Sequence, residues 1–284
     1  MNCVSSLRVI VCTLIVLSSG FVSSCSQTDG GKSTTSGNEV RVMADYCLKP
    51  TLSEIIINYQ QETANKVHVK YAVYFDIHPD TPTDSVDVYL LSNNQIPSSD
   101  IDSTAKLTGR ISVLAYTIPC IIVPQLNPAL IANLSDLARS GTRVGIADPT
   151  HDILGAFTVE ILKDNHLYDQ IKDRLIIVET SAQDLAERVA RKSLDAAIGW
   201  NVFPNWTQGG TDVVLLSASE IPRIAAVTAW RSSVPVDSIS AVKLMTYLKS
   251  DRCLEVFRKW GYITSPAELV TYAPIGVIGG LPSE

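Results

Sequence analysis

The sequence has few charged residues, and it lacks the motifs of several large function classes. Charged residues make up 18% of the 284 residues, the formal net charge is −6, and no basic stripe occurs, which argues against nucleic-acid binding as the main task. No cysteine pair has the C-x-x-C spacing, and no two of the four histidines are spaced i, i+4. Neither a Walker-type nor a dinucleotide-type glycine-rich loop is present. We therefore expect no cofactor, no metal site and no nucleic-acid partner.

Long apolar runs are also rare, and one of them lies near the N-terminus. Val9–Leu17 is apolar apart from Thr13, and it is far shorter than the roughly 20 residues that a membrane-spanning helix needs. Arg8 is the only charged residue among the first 28, so the run is typical of a signal-peptide core. We predict that residues 1–24 are a signal peptide.

A short motif follows the apolar run. Residues 22–25 have the sequence VSSC, which resembles the bacterial lipobox: a branched apolar residue, two small residues and a cysteine. The resemblance implies that Cys25 is lipidated and becomes the mature N-terminus; the alternative is an ordinary signal peptide with an incidental cysteine. Residues 26–38 contain no apolar residue and predict a flexible tether. We expect residues 25–38 to be a lipid-anchored linker that attaches the chain to a membrane.

Three of the six cysteines lie beyond Cys25, at Cys47, Cys120 and Cys253. At most one disulfide can form among three cysteines, and the sequence does not determine whether any pair forms it. For Cys120 and Cys253 we expect small, buried, hydrophobic side chains.

Beyond residue 38, strand patterns alternate with helix patterns. Strands are predicted over residues 40–44, 66–74, 86–91, 111–124, 143–147, 175–178, 194–200, 213–216 and 224–229. Helices are predicted over residues 52–59, 135–139, 154–162, 181–192, 238–249 and 253–259. This alternation predicts an α/β fold with largely parallel sheets.

The chain contains no single polar segment that would mark a linker between two domains. Pro119 interrupts a long apolar run and predicts an edge or crossing strand there. We therefore expect a discontinuous arrangement with two lobes and a Pro- and Gly-rich surface tail. The predicted bounds are 39–118 plus 225–263 for lobe 1, 119–224 for lobe 2 and 264–284 for the tail.

Three strand-to-helix junctions are candidates for a ligand site. They cover residues 44–50, 147–155 and 179–183. In α/β sheets, ligands bind at the carboxyl ends of strands, where the next helix begins. Each helix start offers unpaired N–H groups and roughly half a positive charge. Two or three such starts that face one cleft would hold a small tetrahedral anion without any lysine or arginine.

Several motifs match one known family in their order and spacing. They are NP at 127–128, LSDLA at 134–138, GTRVGIADP at 141–149, LDAAIGW at 194–200 and FRKWGY at 257–262. From residue 40 to residue 263 the chain resembles the molybdate- and tungstate-binding proteins of ABC importers. The resemblance implies a two-lobed type II periplasmic-binding-protein fold, each lobe being a mostly parallel sheet flanked by helices. It further implies a monomer, located in the periplasm or outside the cytoplasm, that delivers an oxyanion to a membrane permease and is not an enzyme.

The resemblance also carries over the positions that contact the ligand. Cys47 stands at the first-junction serine, Tyr74 beside Val73 at the second-loop serine, Leu154 and Ala182 at the backbone donors, and Trp200 at the late-strand hydroxyl donor. Two serine hydroxyls are therefore missing. Molybdate or tungstate in a rebuilt site, a different small anion, and the loss of tight binding all stay open.

An enzyme on a related scaffold is the alternative to a binding protein. Cys47 lies at a predicted helix start, where a thiolate is favoured, so it is the candidate nucleophile of a hydrolase. A hydrolase also needs a partner histidine, and the sequence identifies none. His151 lies at the second junction, where a ligand contact and a surface position are both open.

Overall fold

The computed structural model describes residues 38–73, 76–77, 85–92, 111–274 and 276–279, which all belong to one compact unit. The predicted signal peptide, Cys25, nearly all of the linker and Tyr74 lie outside these residues. Within the described part of the chain, no helix has the length and apolar character needed to cross a bilayer.

The described strands and helices alternate along most of the chain. The strands are β1 (Glu39–Asp45), β2 (Lys66–Ala72), β3 (Val88–Leu91), β4 (Ile111–Thr117), β5 (Pro119–Pro124), β6 (Val144–Ala147), β7 (Ile176–Val178), β8 (Ala196–Trp200), β9 (Thr211–Val214), β10 (Arg223–Arg231) and β11 (Val277–Ile278). The α-helices are α1 (Lys49–Thr63), α2 (Ile153–Asp164), α3 (Tyr168–Ile171), α4 (Ala182–Ala190), α5 (Phe203–Trp206), α6 (Ser238–Leu248), α7 (Asp251–Lys259) and α8 (Pro266–Tyr272).

The strands form two sheets, which confirms the predicted α/β class. The first sheet has the order β11-β10-β3-β1-β2, with β4 on the other edge of β10, and the second has the order β7-β6-β8-β5-β9. Parallel pairs surround β1 and β6, whereas β10 and β5 run antiparallel to β3 and β8. Both sheets are therefore mixed, with their parallel parts next to the strand-to-helix junctions.

The chain passes from the first sheet to the second between Thr117 and Pro119. Pro119 is the first residue of β5 and lies opposite Trp200 of β8. The first position of a strand tolerates a residue without an N–H group, which explains how a proline fits here. Because β5 pairs on both sides, it is a crossing strand inside the second sheet and not an edge strand. The chain returns to the first sheet at Arg223; the exact bounds of the two lobes stay a prediction.

The apolar pattern of the sequence locates much of the core correctly. The stripe of Leu52, Ile55, Ile56 and Tyr59 on α1 is buried. Cys120 and Cys253 are fully buried, as expected for small hydrophobic residues. Together with half-buried Cys47 they are free cysteines, so no disulfide forms among these three.

The prediction of a surface tail over residues 264–284 is wrong for its first part. Helix α8 buries Leu269, and Ala273 follows it into the same hydrophobic cluster, which also contains Ile224 and Ile263. Strand β11 pairs with the start of β10. The Pro- and Gly-rich composition concealed two short elements, because each has too few residues to display a clear period.

Candidate functional site

The three predicted junctions meet around one cavity. The cavity has a volume of about 370 Å³ and lies at the carboxyl ends of β1, β6 and β7. Its lining residues are Asp45, Tyr46, Cys47, Val73, Asp148, His151, Asp152, Ile153, Val178, Glu179, Thr180, Ser181 and Gln183. Residues from both sheets therefore face the same space, as the rule for strand ends in α/β proteins predicts.

Helix α2 begins directly on the end of β6 because of Gly155. A Cβ atom at this position would lie 2.4 Å from the backbone oxygen of Ala147 and 2.6 Å from the backbone of Asp148 and Pro149. Only glycine allows this approach without a shift of the backbone. The glycine thus brings the first turn of α2 to the wall of the cavity.

Asp152 is the N-cap residue of α2, and its carboxylate turns back onto the helix. The carboxylate accepts a 2.8 Å hydrogen bond from the backbone N–H of Leu154. The backbone N–H of Ala182, at the start of α4, also interacts with it and lowers its pKa. Burial outweighs these contacts, and Asp45 nearby adds repulsion, so the pKa of Asp152 rises to about 6. One carboxylate thereby lies between two helix starts from different parts of the chain.

Asp45 has a similar role at the end of β1. It is buried, and its carboxylate accepts hydrogen bonds from the backbone N–H of Cys47, at 3.1 Å, and from the Ser92 hydroxyl. Burial raises the pKa of Asp45, while the hydrogen bonds from Ser92 and Cys47 oppose this rise.

These contacts correct one part of the sequence analysis. The backbone N–H groups of Cys47, Leu154 and Ala182 are not free donors, because the carboxylates of Asp45 and Asp152 already interact with them. Sequence reasoning began α2 at Leu154 and therefore missed Asp152. An aspartate immediately before an apolar helical stripe is a usual N-cap signal and would have identified it.

Asp148 forms a small polar cluster at the rim of the cavity. It accepts hydrogen bonds from the Thr150 hydroxyl at 2.6 Å and from the Thr150 N–H at 2.8 Å, and it lies 3.0 Å from Nδ1 of His151. The Thr150 hydroxyl is the main cause of the lowered pKa of Asp148. The His151 side chain is 79% exposed, so it lies at the mouth of the cavity.

The lining is acidic in character. Four of the lining residues are carboxylic acids, namely Asp45, Asp148, Asp152 and Glu179, and the described lining includes neither lysine nor arginine. The described residues contain no group of three or more His, Cys, Asp or Glu side chains able to hold a metal ion. Positive potential in this cavity comes mainly from helix starts, which the buried carboxylates partly neutralise.

The structure distributes the predicted site residues unequally around the cavity. Cys47 and half-exposed Val73 line it, whereas Leu154 and Ala182 are fully buried and are not among its described lining residues. Their N–H groups interact with Asp152, which does line it. Trp200 lines a separate cavity of about 10 Å³, which Cys47 and Tyr262 also line. The indole of Trp200 is buried and packs edge-on against Phe157. Tyr74 lies outside the described residues.

Cys47 is poorly prepared for nucleophilic catalysis. Burial raises the pKa of its thiol well above the ordinary value, and the charges of Asp45 and Asp152 raise it further. The histidine that lines the same cavity, His151, is hydrogen-bonded to Asp148 and Thr150 instead. A thiolate is therefore disfavoured at this position.

Solved structures of binding proteins share the fold. The substrate-binding domain assigned to a molybdenum ABC transporter of Clostridium difficile superposes with a TM-score of 0.63 at 14% identity, covering 80% of this chain and 99% of that one. The Campylobacter jejuni protein PEB3 with bound L-phospholactate gives 0.60 at 17% identity, covering 80% and 100%. The sulfate-binding protein of Mycobacterium tuberculosis gives 0.59 at 13% identity, covering 85% and 92%. At these identities the likeness establishes the fold alone.

Sequence comparison gives the family. A protein of Haemophilus influenzae, assigned as a binding protein, is 24% identical over 162 residues, which is 53% of this chain. The aligned region spans 61% of the length of that relative. The model of the family described as bacterial extracellular solute-binding protein matches residues 40–263, which include nearly every described strand and helix. The chain therefore belongs to the bacterial extracellular solute-binding protein family.

Proposed function

We propose that this protein binds a small oxyanion in the cavity between the two sheets and performs no chemistry on it. Its family consists of extracellular solute-binding proteins, so capture of a small solute outside the cytoplasm is its general function. The class of solute that we infer is a small oxyanion. It includes free tetrahedral ions such as molybdate, tungstate and sulfate, and also a phosphate or carboxylate group on a small organic molecule.

One observation supports an anionic ligand above the others. The backbone N–H groups of Leu154 and Ala182, called here the amide pair, start two different helices and both interact with the carboxylate of Asp152. A carboxylate is itself an oxyanion, so this geometry suits negatively charged oxygen atoms. Both helices, α2 and α4, are long enough for the dipole at their start to contribute.

The volume of the cavity bears on the size of the ligand. At about 370 Å³ it lies at the lower end of the range of small-molecule sites, which is roughly 300 to 1,000 Å³. A single tetrahedral ion would share this space with water, whereas a small organic anion would fill more of it. Titration with free tetrahedral ions and with small organic anions therefore shows which of these two kinds of ligand the cavity binds.

The acidic lining favours a second candidate, a cationic solute. Asp148 and Glu179 lie at the wall, and the lining residues that the structure describes include no lysine or arginine. A small diamine would bind here through charge-assisted hydrogen bonds to these carboxylates. A cationic solute would not bind through the amide pair, so the two candidates predict different results when the pair is altered.

Thermal unfolding with a panel of solutes tests the proposal. The panel contains molybdate, tungstate, sulfate, phosphate, L-phospholactate and a diamine at matched ionic strength. A ligand present at 100 times its dissociation constant adds about 2.7 kcal/mol of stability. We expect stabilisation by at least one oxyanion; stabilisation by the diamine alone would replace the proposal with the cationic candidate.

Proline substitutions provide a matched control for the amide pair. Ala182 is the first residue of α4, a position where proline is tolerated, so Ala182→Pro removes one N–H of the pair and retains the helix. Ser238→Pro makes the same change at the exposed first residue of α6. We expect Ala182→Pro to lose the stabilisation by oxyanion and Ser238→Pro to keep it. Equal retention by both variants would contradict the use of the amide pair.

Export, the lipid anchor and delivery to a permease complete the proposal. Residues 1–24 would be removed and Cys25 lipidated, which would hold a monomeric binding protein at the membrane surface beside its permease. Expression of the full chain in a bacterium tests this step: the wild type should partition with membranes, and Cys25→Ser should appear in the soluble extracytoplasmic fraction. Partition of both proteins into the soluble fraction would remove the anchor from the proposal.

A further inference from the structure

We propose that Asp152 determines which anions this protein binds, because its carboxylate is a tethered competitor for the amide pair. The inference rests on the proposed function. Any anion that reaches the N–H groups of Leu154 and Ala182 must first displace a carboxylate that belongs to the protein itself. Asp152 is thus a specificity-determining residue rather than a ligand contact.

The geometry makes the competition direct. The carboxylate lies 2.8 Å from the N–H of Leu154, within its own N-cap turn, and it also interacts with the N–H of Ala182, 30 positions along the chain. Because the backbone fixes this carboxylate next to the amides, its effective concentration there is far higher than that of a dissolved anion. A free anion therefore binds only if it interacts with the amide pair much more strongly than a carboxylate does, or if Asp152 becomes neutral.

Negatively charged groups near Asp152 make the entry of an anion more selective. Asp45 and Asp148 repel the charged form of Asp152, and Cys47 lies close to both Asp45 and Asp152. Glu179 and His151 line the same cavity and are both exposed. A dianion that entered beside a charged Asp152 would meet several carboxylates at short range, so entry is easiest after Asp152 has taken up a proton.

This arrangement couples anion binding to pH. Burial raises the pKa of Asp152 to about 6, so the carboxyl group becomes neutral just below neutral pH and releases its charge-assisted hold on the amide pair. We expect oxyanion affinity to increase as the pH falls from 7.5 to 5.5. The side chain of His151 is exposed and paired with Asp148, so His151→Gln is measured in parallel.

Calorimetric titration of matched variants tests the competition. Asp152→Ala removes the carboxylate, and Asp152→Ser removes the charge but keeps an N-cap for α2 in case the alanine variant folds poorly. Glu179→Gln is the control, since it removes a carboxylate of the cavity that does not contact the amide pair. With molybdate, sulfate and phosphate at pH 7.5, we expect Asp152→Ala to bind about tenfold tighter or more than the wild type, with Asp152→Ser between them.

The outcomes separate the two proposals. Two results would overturn the role of Asp152. The first is an equal increase in oxyanion affinity in Asp152→Ala and Glu179→Gln. The second is an increase in affinity with falling pH that disappears in His151→Gln but persists in Asp152→Ala. The ligand-free protein gives an independent readout by NMR: the amide resonances of Leu154 and Ala182 should titrate with a midpoint near 6 in the wild type and not in Asp152→Ala. If these amide resonances do not titrate and the wild type binds an anion tightly, this inference is wrong and the proposed function stands. Titration without anion binding by any variant would overturn the proposed function.

Discussion

The backbone N–H of Cys47 donates a 3.1 Å hydrogen bond to the carboxylate of Asp45, so the thiol and a buried acid lie at the same turn. This relationship opposes the effect expected of a cysteine at a helix start. The helix dipole favours a thiolate, but the adjacent carboxylate and the low polarity of the surroundings disfavour it. The second effect prevails, since burial and the charge of Asp45 raise the pKa of the Cys47 thiol.

Slow alkylation of Cys47 follows from this environment. In the native protein at pH 7.5, we expect iodoacetamide to modify Cys47 far more slowly than a free model thiol, because little thiolate is present. Peptide mass spectrometry of the native and the urea-unfolded protein measures both rates. Rapid modification of Cys47 in the native state would revive the enzymatic alternative. Fully buried Cys120 and Cys253 serve as unreactive internal references.

The raised pKa of Asp152 makes stability depend on pH. The folded carboxyl group keeps its proton up to a pH of about 6, whereas in the unfolded chain it loses the proton near about 3.9. Between these values the folded state binds more protons, so the contribution of Asp152 to the free energy of unfolding falls as the pH rises from 4 to 6. Asn is an equally good N-cap and does not titrate. We expect Asp152→Asn to be about 1–2 kcal/mol more stable than the wild type at pH 7.5.

The same comparison at pH 4 is the control for this prediction. There Asp152 is protonated in the folded state, so the advantage of Asp152→Asn over the wild type should disappear. Urea unfolding at both pH values measures the difference, and acids remote from Asp152 titrate equally in both proteins. A difference that is the same at pH 4 and pH 7.5 would contradict a raised pKa for Asp152.

Removal of the Asp87 carboxylate should strongly destabilise the first sheet. Asp87 is fully buried and accepts hydrogen bonds from the backbone N–H groups of Arg41, Val236 and Asp237, at 2.8, 2.6 and 3.0 Å. Asp87→Ala leaves these three donors without their partner, and we expect it to lower the free energy of unfolding by about 3–5 kcal/mol. Denaturant titration measures the loss.

An exposed ion pair provides the contrast for Asp87. Glu187 pairs with Arg191 at 2.8 Å on the surface of α4. Glu187→Ala should change the stability by no more than about 0.5 kcal/mol, since exposed pairs contribute little. Similar losses for the two variants would mean that Asp87 is not the buried link between β1 and the loop before α6.

Gly155 should tolerate no side chain. The Cβ atom of Gly155→Ala would meet backbone atoms of residues 147–149 at 2.4 to 2.6 Å, so α2 or the end of β6 must move. We expect a loss of about 2–3 kcal/mol by thermal unfolding, together with weaker binding of whichever solute stabilises the wild type. Gly141→Ala is the comparison, because Gly141 has φ +84° but open space around it. It should lose only about 1 kcal/mol and leave binding unchanged.

The sequence by itself determined the class of the fold and identified the three junctions that line the cavity. The apolar stripe of α1 follows from a helical period, and the short apolar runs of β6 and β8 from burial on both faces. Because parallel strands end at the same edge of a sheet, the junctions after β6 and β7 had to lie near each other. The junction after β1 belongs to the other sheet, and the tertiary structure brings it to the same cavity. The other features follow from local patterns and general packing rules, so they can be recognised in the sequence alone.

Only the tertiary structure decided what occupies the helix starts at that cavity. Asp45 and Asp152 repel each other although 107 positions separate them, and the N–H of Ala182 interacts with a carboxylate from the preceding junction. The tertiary structure also decided that Trp200 is buried against Phe157, away from the main cavity. Electrostatic and hydrogen-bonding contacts act over a few ångströms in space, irrespective of distance along the chain. Whether an amide meets a ligand or the protein's own carboxylate therefore depends on the folded arrangement.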